Sequence, residues 1–347
     1  FDWQNLGAGL FGRLTLEAGL PSLLHGPGTM GGVIELSWPS TAPGNVWGSA
    51  WTGNLYDGKL LDRGITLGAG GSLGPLTVMI TGSLISSEGW PLSHAYLAPP
   101  EGALFPDDGA LRDGSGKRAT NVSLLARWTP GARLRVTGFA AFIDSPRKIP
   151  PFVGAGLLRY WEYAIYQSWL GGVSIRYRPA RAGAWRGLKL SIYGHLHKDQ
   201  VNDYTDKSYT ELTQNPLSWF LASAYDNKTL GLAAHSWWRP GRRDRLTWVS
   251  RYQLDLHSQR ELPLPTGNDP AHWEPWEHLR SHGGYSALSW RHRATRWEAT
   301  LQGSAVADQL LGRSIFGQEY AVETTPTIEG EVRGQYKWLL PGTGFAY

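Results

Sequence analysis

The sequence predicts an all-β fold: an antiparallel transmembrane β-barrel of the outer-membrane type. Three observations predict it. Apolar and polar residues alternate along most segments, aromatic residues stand at the ends of the apolar sets, and short turns alternate with long links. Alternation with a period of two puts the two sets on opposite faces of one strand. A soluble sandwich alternates too, so the aromatics decide. Trp and Tyr gather where an apolar ring meets a polar interface, whereas a soluble core has no reason to place its tryptophans at one rim.

Composition fits this class. The 347 residues include 18 Trp, 15 Tyr, 44 Gly and 22 Pro, a usage suited to strands and turns. Cysteine is absent, which excludes disulfides and thiolate metal sites. The most apolar stretch, Leu73 to Ile85, is broken by Gly74, Pro75, Thr77, Thr81 and Gly82 and falls short of the ~18–20 residues of a helical span. The mean hydropathy looks soluble, as expected where only alternate residues meet lipid. Phe1-Asp2-Trp3-Gln4 has neither the basic start nor the apolar core of a signal peptide. The net charge is +4, and no basic tract, Walker motif or dinucleotide-binding context is present. Nucleic acid is therefore not expected as a partner, and no cofactor is predicted.

The strands follow in order. Val122, Leu124, Ala126 and Trp128 oppose Asn121, Ser123 and Arg127, and Leu134, Val136, Gly138, Ala140 and Phe142 oppose Arg133, Arg135 and Thr137. Val173, Ile175 and Tyr177 oppose Ser174, Arg176 and Arg178; Leu188, Leu190, Ile192, Gly194 and Leu196 oppose Lys189, Ser191, Tyr193, His195 and His197. Leu246, Trp248, Tyr252, Leu254 and Leu256 oppose Arg245, Thr247, Arg251, Gln253 and Asp255. Trp297, Ala299 and Leu301 oppose Glu298, Thr300 and Gln302, and Val332, Tyr336 and Trp338 oppose Glu331, Arg333 and Gln335. Trp128, Tyr177, Trp238 and Trp290 each stand on the apolar set just before a short turn, and Trp248 and Trp297 return on that set soon after one. These six form the predicted membrane girdle.

Short links are expected at 74–75, 129–132, 179–187, 240–244, 291–296 and 341–344, with long ones at 86–117, 144–160, 198–218, 258–280 and 312–327. Short turns on one side and long loops on the other describe an outer-membrane barrel whose long loops lie outside. Counting from Asn45 gives about twelve strands. The inner wall is then rich in arginine, including Arg127, Arg135, Arg176, Arg245, Arg251 and Arg333.

The chain offers no strong catalytic or metal pattern. His195 and His197 share a strand face, but two polar residues on a wet wall explain them. His272, His278 and His282, with Glu274 and Glu277, match no zinc spacing. The Asp107 and Asp113 segments lack the full calcium-loop spacing. No Gly-x-Ser-x-Gly elbow or evident triad is present, so no enzyme activity is predicted. In the long links, exposed aromatics are costly unless they pack, meet lipid or stack on a ligand. Trp161 and Tyr163, close to a strand start, are expected in the outer girdle. Trp90, Tyr96, Trp273 and Trp276 are the predicted ligand or partner contacts, because Pro91 and Pro275 stiffen their loops.

Residues 19–34 read Gly-Leu-Pro-Ser-Leu-Leu-His-Gly-Pro-Gly-Thr-Met-Gly-Gly-Val-Ile. This segment, with strands downstream, resembles the end of the plug domain of TonB-dependent outer-membrane receptors. Ser22, Leu24, Gly26, Gly28, Gly31, Gly32, Val33 and Ile34 fall on the matching positions. His25 stands where an aromatic is usual, and Ala18 where a basic residue is common. The resemblance implies that residues 1–40 are the last part of a plug. Residues 41–347 would then be an incomplete portion of a barrel of about 22 strands. It also implies energy-coupled import of a scarce bulky nutrient, such as a ferric siderophore, cobalamin or a glycan. The partners implied are outer-membrane lipid, a TonB-type energy transducer and an extracellular ligand. A structural or interaction barrel subunit of an envelope complex, paired with a second envelope protein, is the competing expectation.

Overall fold

The computed structural model describes residues 13–19, 23–25, 31–37, 45–56, 59–92, 111–151, 159–180, 183–214, 218, 220–266, 270–295, 297–310, 314–315, 318–319 and 327–338. Two strands near the start, β1 (Arg13–Gly19) and β2 (Gly31–Ser37), pair as an antiparallel hairpin, with the 3-10 turn Leu23–His25 between them. The glycines Gly31 and Gly32 open β2 opposite Gly19 and Ala18. Ser22, Gly26 and Gly28 lie outside the described residues.

The rest is one large antiparallel sheet. It contains β3 (Asn45–Tyr56), β4 (Lys59–Leu73), β5 (Leu76–Ser87), β6 (Lys117–Trp128), β7 (Leu134–Asp144), β8 (Arg147–Ile149) and β9 (Tyr160–Tyr177). It continues through β10 (Trp185–Tyr204), β11 (Ala222–Trp238), β12 (Asp244–Leu262), β13 (Glu277–Arg293) and β14 (Trp297–Leu310). The tiny hairpin β15 (Ser314–Ile315) and β16 (Gln318–Glu319) precedes the last strand, β17 (Thr327–Trp338). Along the path β3 to β7, β9 to β14 and then β17 each strand pairs with the next, the short β8 sits off that path against β6 and β9, and β15 and β16 pair only with each other. Twelve strands make the path, the number expected from the alternation.

Links fall as expected by length. Those at 74–75, 129–133, 178–184, 239–243 and 294–296 are short, and those at 88–116, 145–159, 205–221, 263–276 and 311–326 are long. On the long-link side, the β3–β4 link, 57–58, is the short exception. Gly74 turns the β4–β5 hairpin at φ 56°, a left-handed conformation that costs glycine little. The strands run further than alternation alone suggests. β10 continues to Tyr204, β12 to Leu262, and β13 starts at Glu277. In these extensions the outward face turns polar, with Lys198, Gln200, Asn202, Ser258 and Arg260 on it, so the apolar signal ends before the ladder does.

The two faces are inverted relative to a soluble protein. On β5, Leu84 is 57% exposed while its neighbour Ser83 is 3% exposed. The face bearing Leu76, Val78, Ile80, Val122 and Leu124 is exposed, whereas Thr81, Ser83, Asn121 and Ser123 on the other are buried. On the buried side, cross-strand hydrogen bonds join Thr81 to Ser123 (2.6 Å) and Asn121 to Ser83 (3.0 Å). Apolar segments such as Leu76–Leu84 and Leu188–Leu196 have the length of the ~9–11 residues with which a tilted strand crosses a bilayer.

The six girdle residues share the exposed apolar face. Register sets Trp128 opposite Leu76 and Val136, Tyr177 opposite Leu134 and Leu188, and Trp238 opposite Trp185 and Leu246. Trp290 lies between Leu246 and Leu301, Trp248 opposite Leu288, and Trp297 opposite Trp338. Indole N–H groups on this face find oxygen partners: Trp248 donates to Ser286 (3.0 Å) and Trp290 to Asp244 (3.1 Å).

Trp161 and Tyr163 correct the sequence reading. The β9–β10 register shifts between Gln200 and Val201, so Tyr163 pairs with Val201 and skips a residue. A bulge of this kind re-aims the side chains beyond it. Both residues consequently lie on the inner face, where Tyr163 meets Tyr166 (5.3 Å between rings) and Trp161 stacks on Phe220 (6.2 Å).

Candidate functional site: the inner wall

The polar face of the sheet, opposite the girdle face, carries the chemistry. At its short-link end, the register lines up Arg135, Arg176, Lys189 and His235 as direct cross-strand neighbours on β7, β9, β10 and β11. Like charges opposite one another destabilise a sheet, so this row favours an anionic partner. Arg176 is also held over the Trp237 ring at 5.0 Å, a cation–π contact. Arg127, Arg135, Arg176, Lys189, Tyr193 and His195 line a recess of about 750 Å³. Arg245 and Arg251 continue the basic character onto β12, on the face of Thr247 and Val249. Arg133 and Arg178 stand just past the strand ends, joined main chain to main chain (2.8 Å). β17 sets Arg333 opposite Gln302.

Midway along the wall, Arg251 reaches the main-chain oxygens of His25 and Leu24, at 2.8 and 3.4 Å. Leu24 also packs with Val306 on Tyr285 and Ala287 of the same wall. The Leu23–His25 turn is thus seated on the polar face by one apolar and one charged contact. Nearby, Tyr193 donates to Gln253 (3.3 Å), and Thr229 and Gln253 both donate to Asp255 (2.6 and 2.8 Å).

Further toward the long links, Ser168 Oγ bonds His197 Nδ1 (2.7 Å), and His197 Nε2 meets Asp199 (2.8 Å). These three residue types form the hydrogen-bonded chain of an acyl-transfer triad, but the surroundings do not arm it. Ser168 is buried and lies mid-strand, paired on both sides with Ile143 and His197. Its neighbouring N–H groups belong to the ladder and are not aimed at an oxyanion. The chain fixes His197, against which Tyr166 packs edge-on at 4.8 Å. His195 is 5.9 Å from His197, ring to ring. Among the described residues no group of three His, Cys, Asp or Glu side chains is placed to hold a metal. His278 and His282 belong to β13 and not to a loop. They bond to Ser258 (2.9 Å) and Gln309 (2.9 Å), while Glu277 accepts from Gln259 (3.1 Å).

The predicted ligand contacts lie at the long-link end, in different settings. Trp90 is 52% exposed, and its backbone is pinned by Ser115 Oγ (2.8 Å) and by Arg112 N–H (2.8 Å). Trp273 and Trp276 sandwich the Arg260 guanidinium at 4.5 and 4.6 Å, on the outward face of β12. Tyr96 lies outside the described residues. A cluster that the sequence did not flag sets Tyr160 and Tyr204 each T-shaped against Tyr209, with Lys148 Nζ 4.0 Å from the Tyr209 ring. Burial, and then the negative charge of Asp113 and Glu162, pushes the Tyr209 hydroxyl well above the usual phenol range. No spacing rule links residues 148, 160, 204 and 209, since three separate strands and a loop bring them together.

No family model matches the chain, and no curated protein matches it in sequence. Its fold is similar to those of solved TonB-dependent outer-membrane transporters. The copper transporter OprC superposes with a TM-score of 0.67 at 16% identity, over 96% of this chain and 49% of that one. The FrpB iron transporter from Neisseria meningitidis gives 0.66 at 10% identity, over 97% and 51%. The ferripyoverdine receptor of the Pseudomonas aeruginosa outer membrane gives 0.61 at 10%, over 94% and 44%. At such identities the likeness is one of fold. The chain spans about half the length of these proteins, so its sheet corresponds to half of their barrels.

Proposed function

We propose that the chain is part of an outer-membrane transporter importing a scarce bulky nutrient, a ferric chelate, cobalamin or glycan, by energy-coupled transport. Residues 1–40 form the end of its plug, and residues 41–347 form barrel wall. The single observation carrying this reading is the two-sided sheet. Its lipid-type face bears the aromatic rims, and its polar face grips the Leu23–His25 turn through Arg251. A wall that only enclosed water would not need a charged side chain committed to a segment more than two hundred residues earlier. The basic row Arg135–Arg176–Lys189 suits either carboxylates of a plug or an anionic solute passing it. The girdle residues Trp128, Tyr177, Trp238, Trp248, Trp290 and Trp297 then mark the membrane boundary on the short-link side.

Deleting the gene and measuring growth on single ferric chelates, cobalamin or glycans as sole sources tests the reading. The expected result is loss of growth on one of them, restored by the intact gene. Restoration should fail when the energy transducer is absent. Normal uptake of every such source, with the protein present in the outer membrane, would favour a structural barrel subunit working with a second envelope protein.

A further inference from the structure

We propose that the outward face of β4–β6 holds a phosphorylated amphiphile of the leaflet on the long-link side. Arg63 and Arg118 take its phosphate, and Ile65 and Leu84 lie against its acyl chain. The inference rests on the reading that this face meets lipid. Register places Thr52, Arg63, Ser86 and Arg118 side by side on four consecutive strands. One row nearer the membrane centre come Ile65 and Leu84, 43% and 57% exposed. Neighbouring strands lie ~4.8 Å apart, so the two arginine backbones stand about 10 Å apart with a serine between them. Two guanidinium arms close that span onto a single phosphate, each offering a planar fork of donors.

What singles out this pair is that neither arginine is ion-paired among the described residues, although Glu88 and Asp144 stand one row away on the same face. On the same face, Lys198 and Lys228 share Asp226 at 4.0 and 3.5 Å, and Arg260 is capped by two indoles. Arg63 and Arg118 form no hydrogen bond or ion pair among the described residues. Asp144, across from Thr120, forms no ion pair with Arg118. Unpaired arginines bordering an apolar surface are costly unless they reach phosphate at the interface. A recess of about 500 Å³ lies between them and the apolar row, lined by Thr52, Arg63, Ile65, Leu84, Ser86 and Arg118. That is the shape and polarity of a charged head above an acyl chain.

The test uses the full-length protein extracted from its own membrane, with retained lipid counted by native mass spectrometry. Phosphatidic acid, phosphatidylcholine and inorganic phosphate are the probes. Phosphatidic acid should bind at least about tenfold more tightly than phosphatidylcholine, and equimolar inorganic phosphate should not displace it. Arg63→Gln with Arg118→Gln should weaken phosphatidic acid at least about tenfold, since each lost charge-assisted bond is worth about a factor of ten or more. Lys198→Gln with Lys228→Gln should leave it unchanged. Heat-modifiable gel mobility reports assembly; if the double variant does not assemble, each single glutamine variant is read by the same criterion. Phosphatidic acid bound equally by wild type and variant would overturn the proposal, as would equal binding of phosphatidylcholine. Displacement by inorganic phosphate would turn it into a free-anion site and overturn the lipid assignment. A protein that never fractionates with the outer membrane sinks the transporter reading first. One that does, yet ignores phosphatidic acid, sinks this inference alone.

Discussion

Arg251 donates its guanidinium to the main-chain oxygen of His25 at 2.8 Å, across 226 residues of sequence. One side chain of the wall therefore fixes the turn on which the glycine-dense segment begins. Arg251→Ala should free that turn without touching the β11–β13 ladder. Charge-assisted bonds are worth ~1.5–3 kcal/mol each when shielded, but this guanidinium is exposed and screening leaves about 1 kcal/mol. Hydrogen exchange over residues 13–37 should accelerate about fivefold, with β12 unchanged. Arg251→Lys should fall between, because it keeps the charge and loses the fork. Unaltered exchange in both variants would show that the apolar contact of Leu24 seats the turn alone.

Much of this was legible in the sequence, and the limits have physical causes. Alternation found the strands because each apolar face is exposed to one kind of surroundings along its middle. It failed at the strand ends, where the outward face becomes polar while hydrogen-bonded pairing continues past Lys198 and Ser258. Trp161 and Tyr163 were misplaced because a one-residue bulge reverses facing, and no composition signal marks it. Arg135 and Arg176 were visible as inner arginines and Lys189 as a polar-face residue, but the register that puts them side by side was not. The tyrosine cluster around Tyr209 was invisible, since only the fold joins its members.

Ile192→Arg separates a lipid face from a solvent face. Ile192 is 47% exposed, with Leu190 and Leu232 similarly exposed around it. On a soluble protein an arginine there is harmless. At the middle of a membrane-facing strand it costs ~2–4 kcal/mol, falling to ~0–1 kcal/mol near the rim, where Trp128→Arg provides the comparison. Ser191→Arg, one residue away on the polar wall, should be milder. Urea unfolding in lipid vesicles, followed by gel mobility, gives the ranking Ile192 > Trp128. Equal stabilities would contradict a bilayer against this face.

Trp90 and Trp276 should behave differently as ligand contacts. Trp90, 52% exposed, projects from a backbone held by Ser115 and Arg112. If the proposed import is right, Trp90→Ala should lower affinity for the proposed nutrient at least about tenfold, the scale of an aromatic hot spot, with assembly normal. Trp276 is engaged on Arg260, so Trp276→Ala should chiefly remove a cation–π contact of ~0.5–1 kcal/mol and raise proteolysis of the 263–276 link. Isothermal titration with each candidate nutrient checks the first, and limited proteolysis the second. Affinity unchanged by Trp90→Ala would return the ligand site to other loops.

The link carrying Tyr209 should open in alkali. Its hydroxyl is held protonated above the ordinary phenol value, first by burial and then by Asp113 and Glu162. The folded state therefore binds this proton more tightly than the unfolded chain, whose phenol titrates near ~10. By linkage the associated stability is complete below that pH and is lost as pH rises through the higher folded value. Gly114 closes the cage: it sits at φ 69°, and a Cβ there would stand 2.8 Å from the Tyr209 hydroxyl. Tyrosinate absorbance should show Tyr209 ionising late, with exchange over 205–214 rising in step. Tyr209→Phe keeps the ring under Lys148 and cannot ionise, so its alkaline limb should vanish. Gly114→Ala should displace the ring and bring the titration back toward ~10. If Tyr209→Phe opens at the same pH as the wild type, another group controls the link.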